Sequence, residues 1–190
     1  MLIEKLFYLM NKLHHYFIAK YSQNLEFNYL IDVGAHKGEF LSSFIKFKNI
    51  KKYFCFEPQK DIFNVLKKDY KSRKIKYFNY ALGEKKKKTK IYISSLSSTS
   101  TMSTFDKKSK YLKFKNFILK NKSNSYKTHF IQQKTIDEVF KNEDLTNCFL
   151  KIDVEGYEIN VLLGAKKKIK EIKYVLLEHQ LFNQYKNDFK

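Results

Sequence analysis

The stretch YLIDVGAHKGEFLSSF, residues 29–44, constrains the fold more than any other part of the chain. An apolar run ends in Asp32, and Gly34 and Gly38 then open a turn that leads directly into an amphipathic segment. A short apolar run bounded by glycines reads as a buried strand, and glycines at its exit permit positive φ and close approach of the backbone to a ligand. The unpaired amides at the start of the following helix are donors for a polar or anionic group. The dinucleotide-binding pattern G-x-G-x-x-G is not met, because His36 stands where the middle glycine would let a pyrophosphate approach. A strand-Asp-x-Gly-x-x-x-Gly-helix unit suits a cofactor without a pyrophosphate.

From position 28 onward, short apolar runs alternate with helix-length amphipathic stretches, the pattern of parallel strands joined by crossover helices. Strands are expected at 29–33, 53–57, 75–80, 149–153 and 174–179, and helices at 38–47, 61–70, 135–141 and 157–168. In the second helix Ile62, Val65, Leu66 and Tyr70 form one stripe for packing on the sheet. The fold class is therefore α/β, a doubly wound and mostly parallel sheet. Between Gly83 and Lys134 the rhythm breaks. The lysines at 85–88 read as a solvated turn, 89–94 and 128–133 as flanking strands, and the cluster SSLSSTSTMSTF lies between them. Long loops at the carboxyl ends of strands are common places for substrate binding, which makes Tyr92, Ser98 and Thr99 candidate acceptor contacts. The expected organisation is an N-terminal amphipathic helix within 1–27, then one domain over 28–190 with an insertion at 83–134.

A length of 190 residues with 43% hydrophobic content is enough for one core without disulfides. Cys55 and Cys148 both sit in apolar runs and read as small core residues, in keeping with a reduced, cytoplasmic setting. Leu2, Leu6, Leu9, Leu13 and Phe17 recur at helical spacing, but Glu4, Lys5, Lys12 and Lys20 interrupt the run. It is neither a membrane span nor a signal peptide. Two readings stay open for it, a helix that covers an edge of the domain and a peripheral contact with a membrane surface. A formal net charge of +19 raises nucleic acid as a partner. Arg73 is the only arginine, however, and the lysines are spread along the whole chain, so no focused phosphate-reading stripe forms and nucleic acid is not expected.

Three further segments carry chemistry. YFCFEP ends in Glu57, and an acidic residue at the tip of the second strand is where a doubly wound fold grips the ribose hydroxyls of an adenosine. A carboxylate at the following helix start is the plainer reading of the same residue. FLKIDVEGYEINVLLGA delivers Asp153 and Glu155 at a strand tip, with Gly156 for a tight exit. These carboxylates could orient an acceptor, take a proton, or cap the next helix. KYVLLEHQ ends a fifth strand with Glu178 and His179, aiming an imidazole at the same sheet edge. Asp153, Glu155 and Glu178 would suit a divalent cation, but nothing in their spacing requires one and no metal is expected.

In this order IDVGAHKGEF, FCFEP, NYALGE, SSTSTM, KTIDEVF, KIDVEGYEINVLLGA and VLLEH resemble the FkbM family of methyltransferases, over residues 28–179. The resemblance implies a Rossmann-like class I methyltransferase fold, S-adenosylmethionine as cofactor, and O-methylation of a sugar or another small-molecule or glycan acceptor bearing a hydroxyl. Carried over by position, Gly34 and Gly38 with Asp32 surround the methionine portion, and His36 lies in the same turn where the family commonly has Asn. Glu57 then holds the ribose, Asn79 and Ala81 lie near the adenine, and Asp153, Glu155 and Gly156 border the methyl-transfer site. His179 is the first choice of proton acceptor and Asp153 the second. Prolines are too few for the proline-rich motif of base N-methylation, and neither cysteine follows a proline as in C5-methylation. A nicotinamide-dependent oxidoreductase is the rival within the fold. The chain ends soon after the fifth expected strand, so the sheet is expected to lack its last edge strands. That leaves open a truncated, non-catalytic or partner-dependent binding module, and an uncovered edge is a reason to oligomerise.

Overall fold

The apolar runs 29–33, 52–56 and 148–152 are buried along nearly their whole length, as central parallel strands covered on both faces are. The computed structural model describes residues 2–47, 49–93, 100–104, 106, 109, 127–178 and 185. The main sheet contains β1 (Tyr29–Val33), β2 (Lys52–Phe56), β3 (Ile75–Phe78), β7 (Cys148–Ile152) and β8 (Ile172–Leu177), in the order β3-β2-β1-β7-β8. All four pairings are parallel. The chain winds outward from β1 to β3 and then returns to the other side of β1, so strand order reverses between β1 and β7. In open α/β sheets ligands bind outside the carboxyl ends of the strands at such a reversal.

Alternation divides the core into two layers. Leu30, Tyr53, Cys55 and Phe149 face the layer of α1 (Leu2–Ser22), α2 (Glu39–Phe44) and α3 (Lys60–Asp69), where Phe40 and Phe44 stack with ring centroids 4.6 Å apart. Ile31, Val33, Phe54, Phe56, Leu150 and Ile152 face the layer holding Ile136 of α4 (Ile136–Val139) and Val161 of α5 (Glu158–Leu163). Helices on both faces make the sheet doubly wound, as the alternation in the sequence predicts. Both cysteines are buried, and burial pushes the Cys148 thiol up to about 12.

Several boundaries differ from the sequence expectation. The run 75–80 is not one strand: β3 stops at Phe78, and β4 (Ala81–Leu82) joins a second sheet, ordered β4-β6-β5, with β6 (Lys127–Lys134) and β5 (Lys87–Ile93). Lys87 and Lys88 belong to β5 rather than to a turn, while all of Lys85, Lys86, Lys87 and Lys88 remain exposed. The stripe of α3 is narrower than its spacing suggests, with Leu66 buried and Val65 exposed. Among the described residues β8 has β7 on one side and no strand on the other.

The N-terminal helix α1 packs on α2, but by the face opposite to its large apolar residues. His15, Ala19 and Ser22 are buried, whereas Leu9, Leu13 and Phe17 are exposed. Small side chains at Ala19 and Ser22 allow close helix approach, and this contact outranks the more obvious apolar stripe. Among the described residues no helix is long and apolar enough to cross a membrane.

One polar pair lies inside the first layer. Asp32 and Lys151 are register partners on β1 and β7, so their side chains leave the sheet on the same face. They are 0% and 4% exposed, and Nζ of Lys151 lies 3.1 Å from Oδ1 of Asp32. Removing one partner of a buried pair strands the other charge. Lys151→Met is therefore expected to cost about 3–5 kcal/mol in urea unfolding, and adding Asp32→Asn to it should recover much of that loss.

Candidate cofactor and acceptor site

In the strand register, Val33 lies opposite both Phe56 and Ile152. The residues that follow, Gly34, Glu57 and Asp153, therefore emerge side by side at the carboxyl ends of β1, β2 and β7. The ladder continues into these exits: the amides of Gly34 and Ala35 donate to Phe56 O at 3.1 and 3.0 Å, and that of Asp153 donates to Val33 O at 3.1 Å. At Gly34, with φ 80°, a Cβ would lie 1.9 Å from the Asp153 carbonyl oxygen, so no other residue fits the crossing of the two exits. Gly38, with φ 90°, sits against the Tyr70 ring and Leu66 in the same way. His36 between them also has positive φ, 45°, an unfavourable region for a side chain that the turn enforces.

That turn is tied to Glu57. The backbone amide of His36 donates to Oε2 of Glu57 at 3.1 Å, and that of Gln59 donates to Oε1 at 2.8 Å. Burial to 3% exposure pushes the Glu57 carboxyl up to about 7, against the pull of these two amides. The His36 ring meets Oε1 of Glu39 at 2.8 Å. Asn79, expected near an adenine, donates its side-chain amide to the carbonyls of Glu57 and Pro58 at 2.9 and 3.1 Å, and so holds the β2 exit in shape. Ala81 is buried with Ile91 and Ile131 in the small sheet's core, where its methyl is a packing group.

Lys151 occupies the centre of the rim. Its Nζ lies 3.1 Å from Asp32 Oδ1 and 3.2 Å from Asp153 Oδ2, and donates to the Gly34 carbonyl at 3.0 Å. Burial works against the ammonium, but the attraction of Asp153 and Asp32 and their hydrogen bonds outweigh it and raise its pKa. Burial likewise raises Asp32, with Lys151 pulling the other way. Oδ2 of Asp32 has no hydrogen-bond partner among the described residues. The buried His15 of α1 reaches this cluster, its ring edge-on to Phe40 at 5.5 Å. Burial, and then Lys151, hold its imidazole down to about 4, so it is neutral.

Glu178 follows the exit of β8, its amide donating to Ile152 O at 3.1 Å. The charge of Asp153 is the first cause that raises Glu178 to about 8, followed by burial. Glu178 therefore keeps its proton at neutral pH.

The β7–α5 turn is braced by Glu158, whose Oε1 accepts from the amides of Val154 and Gly156 at 3.1 Å each, while the helix has no side-chain cap and the capping reading of Glu155 is not met. Glu155 has φ 55°, and its carboxylate accepts from the Tyr185 hydroxyl at 3.3 Å. A Cβ on Gly156 would meet that Tyr185 ring at 2.1 Å. The insertion crosses over these exits: Ser100 Oγ donates to Gln59 Oε1 at 3.4 Å, while Thr101 Oγ1 and Ser103 Oγ donate to the carbonyls of Glu155 and Gly156 at 2.5 Å each. Tyr92 pairs backbone to backbone with Thr101. His179, Ser98 and Thr99 lie outside the described residues.

Sequence reasoning thus brings Asp32, Gly34, His36, Gly38, Glu57, Asp153 and Glu155 to one end of the sheet, and it misses Lys151, His15, Glu158, Thr101 and Ser103. Lys151 had a signal, a lysine inside the apolar strand CFLKI directly across from Asp32. Among the described residues no three His, Cys, Asp or Glu side chains converge as metal ligands.

A family model described as the Methyltransferase FkbM domain matches residues 32–190. No curated protein and no solved structure gave a match. The match covers every strand exit just described, and with it the chain belongs to the FkbM methyltransferase domain family.

Proposed function

We propose that this protein is an S-adenosylmethionine-dependent methyltransferase acting on a hydroxyl group of a sugar or related acceptor. The observation that carries the reading is the charge of the strand exits. In a chain of formal charge +19, the rim is built from Asp32, Glu57, Asp153, Glu155 and Glu178, and its buried cation Lys151 is already engaged by Asp32 and Asp153. An anionic pyrophosphate would meet carboxylates there, whereas a sulfonium with an α-ammonium group is their complement. Asp32 Oδ2, buried and without a hydrogen-bond partner among the described residues, fits a donor from the amino-acid end of such a cofactor. When bound, S-adenosylmethionine supplies an electrophilic methyl group.

In this reading Glu57 accepts from the ribose hydroxyls, having one backbone donor on each oxygen and acceptor capacity to spare. Asn79 keeps the Glu57 exit in place, and Gly34, His36 and Gly38 shape the turn beside it. Thr101 and Ser103 hold the insertion over the β7 exit and frame the acceptor. Asp153, at the exit of β7 beside Gly34, takes the proton that the acceptor hydroxyl loses. His179, next to Glu178 in the chain, is the alternative acceptor of that proton.

Calorimetric titration should show S-adenosylmethionine binding to the wild-type protein and roughly 10–100-fold weaker binding to Glu57→Ala, the range for losing hydrogen bonds to a charged group. No binding by the wild type overturns the assignment. Stability should also carry the mark of Glu57. Its folded-state pKa, about 7, lies above the ordinary 4.5 of a free glutamate, so its stabilising contribution is complete below about 4.5 and is lost as pH rises through about 7. Urea midpoints between those limits should fall less steeply with pH in Glu57→Gln than in the wild type. With a hydroxylated acceptor, Asp153→Asn should lower kcat by about 10²-fold or more. An equal loss in His179→Ala with Asp153→Asn left active would move the base to His179.

A further inference from the structure

The two faces of α1 are inverted relative to an ordinary docked helix. At about 100° per residue, His15, Ile18, Ala19 and Ser22 form the arc that meets the domain. Leu9, Met10, Leu13, Tyr16, Phe17 and Tyr21 form the arc opposite. Leu13 is 49% exposed, Phe17 51% and Tyr21 81%, so this arc is a continuous apolar and aromatic stripe in solvent. Soluble proteins seldom leave such a stripe uncovered without a partner for it. Lys20 lies within the stripe and Lys12 at its margin, both exposed.

We propose that α1 is an interfacial helix that docks the protein on an anionic lipid bilayer through this stripe. Charge chooses the occupant. A second copy of the chain would bring Lys12 and Lys20 against their own images, between two bodies of formal charge +19 each. An anionic bilayer is complementary to both the lysines and the net charge. The residue types agree: Leu and Phe enter the acyl boundary, Tyr16 and Tyr21 place a ring in it and a hydroxyl in the headgroups, and the Lys20 stem lies along the apolar face with its ammonium at the surface. The helix is not long and apolar enough to span, so it lies on the membrane. The inner arc, with His15 in the Lys151 cluster, fixes the helix to the methyltransferase domain.

The chain contains no tryptophan, so Phe17→Trp gives a single fluorescent reporter in the stripe. Phosphatidylcholine vesicles containing phosphatidylglycerol should shift its emission to the blue, and phosphatidylcholine alone should not. In co-sedimentation, Met10→Glu with Leu13→Glu should weaken binding to the anionic vesicles by about tenfold or more, although the variant keeps nearly all the net charge. Circular dichroism matching the wild type shows that the exposed substitutions leave the fold intact. Undiminished vesicle binding by the variant, or binding without a blue shift, means diffuse lysine adhesion and overturns the proposal. Sedimentation velocity supplies the other failure, a vesicle-independent dimer that the same substitutions dissociate.

Discussion

The ion chain Asp32–Lys151–Asp153 ties the two strands at which the sheet reverses direction. Lys151 is the only cation in contact with either carboxylate among the ion pairs of the described residues, and it also donates to the Gly34 carbonyl. One ammonium thereby joins β1, the glycine turn and the β7 exit. Such a buried pair adds little net stability, since desolvation offsets much of the attraction. Its larger effect is on specificity. Because side chains alternate along a strand, a slip of β7 by one residue would turn Lys151 into the layer of Ile31, Phe54 and Phe56, where no carboxylate is described against it. The cost of that misplacement helps select the register that brings Gly34, Glu57 and Asp153 together.

The strand exits were legible in the sequence because each combines an apolar run with an acidic residue, and two of them with a glycine in positive φ. Those signals are local. What was not legible depends on which face wins. The N-terminal stripe reads as the packing face by hydrophobicity, yet α1 docks through His15, Ala19 and Ser22, because steric fit against α2 decided and no local pattern encodes it. The run 75–80 is continuous in sequence, but Asn79 turns its side chain to the Glu57 and Pro58 carbonyls and the chain leaves for a second sheet. Glu155 was one candidate cap of the following helix. The left-handed turn at Glu155 and Gly156 instead accompanies a Glu155 carboxylate that meets the Tyr185 hydroxyl, and leaves Glu158 to take the amides of Val154 and Gly156.

Conformational strain concentrates at the same end of the sheet. All positive-φ residues of the described chain except Asn147 lie in two turns, at 34–38 and at 155–156. Positive φ at His36 and Glu155 is unfavourable for residues with a Cβ, and such strain persists only where the surroundings over-determine it. The constraints are identifiable here: the His36 amide on Glu57 and its ring on Glu39 for one turn, and Thr101, Ser103 and Glu158 for the other. The rim is therefore held in shape before any ligand arrives, which lowers the ordering cost of binding.

Two opposite fields coexist in this molecule. The body carries a large excess of lysine, yet the strand exits gather carboxylates. Coulomb interactions between exposed charges fade over about 8–10 Å at physiological ionic strength, while those inside a partly buried rim are screened much less. The field at the exits is therefore chiefly that of Asp32, Lys151, Glu57, Asp153 and Glu178, and the outer lysines dominate at the surface. The two fields meet in α1, whose buried His15 lies edge-on to the Phe40 ring that also has the Lys151 ammonium over it. Burial keeps that imidazole uncharged, so the helix adds no competing positive charge to the rim while its outer face carries Lys12 and Lys20 into solvent.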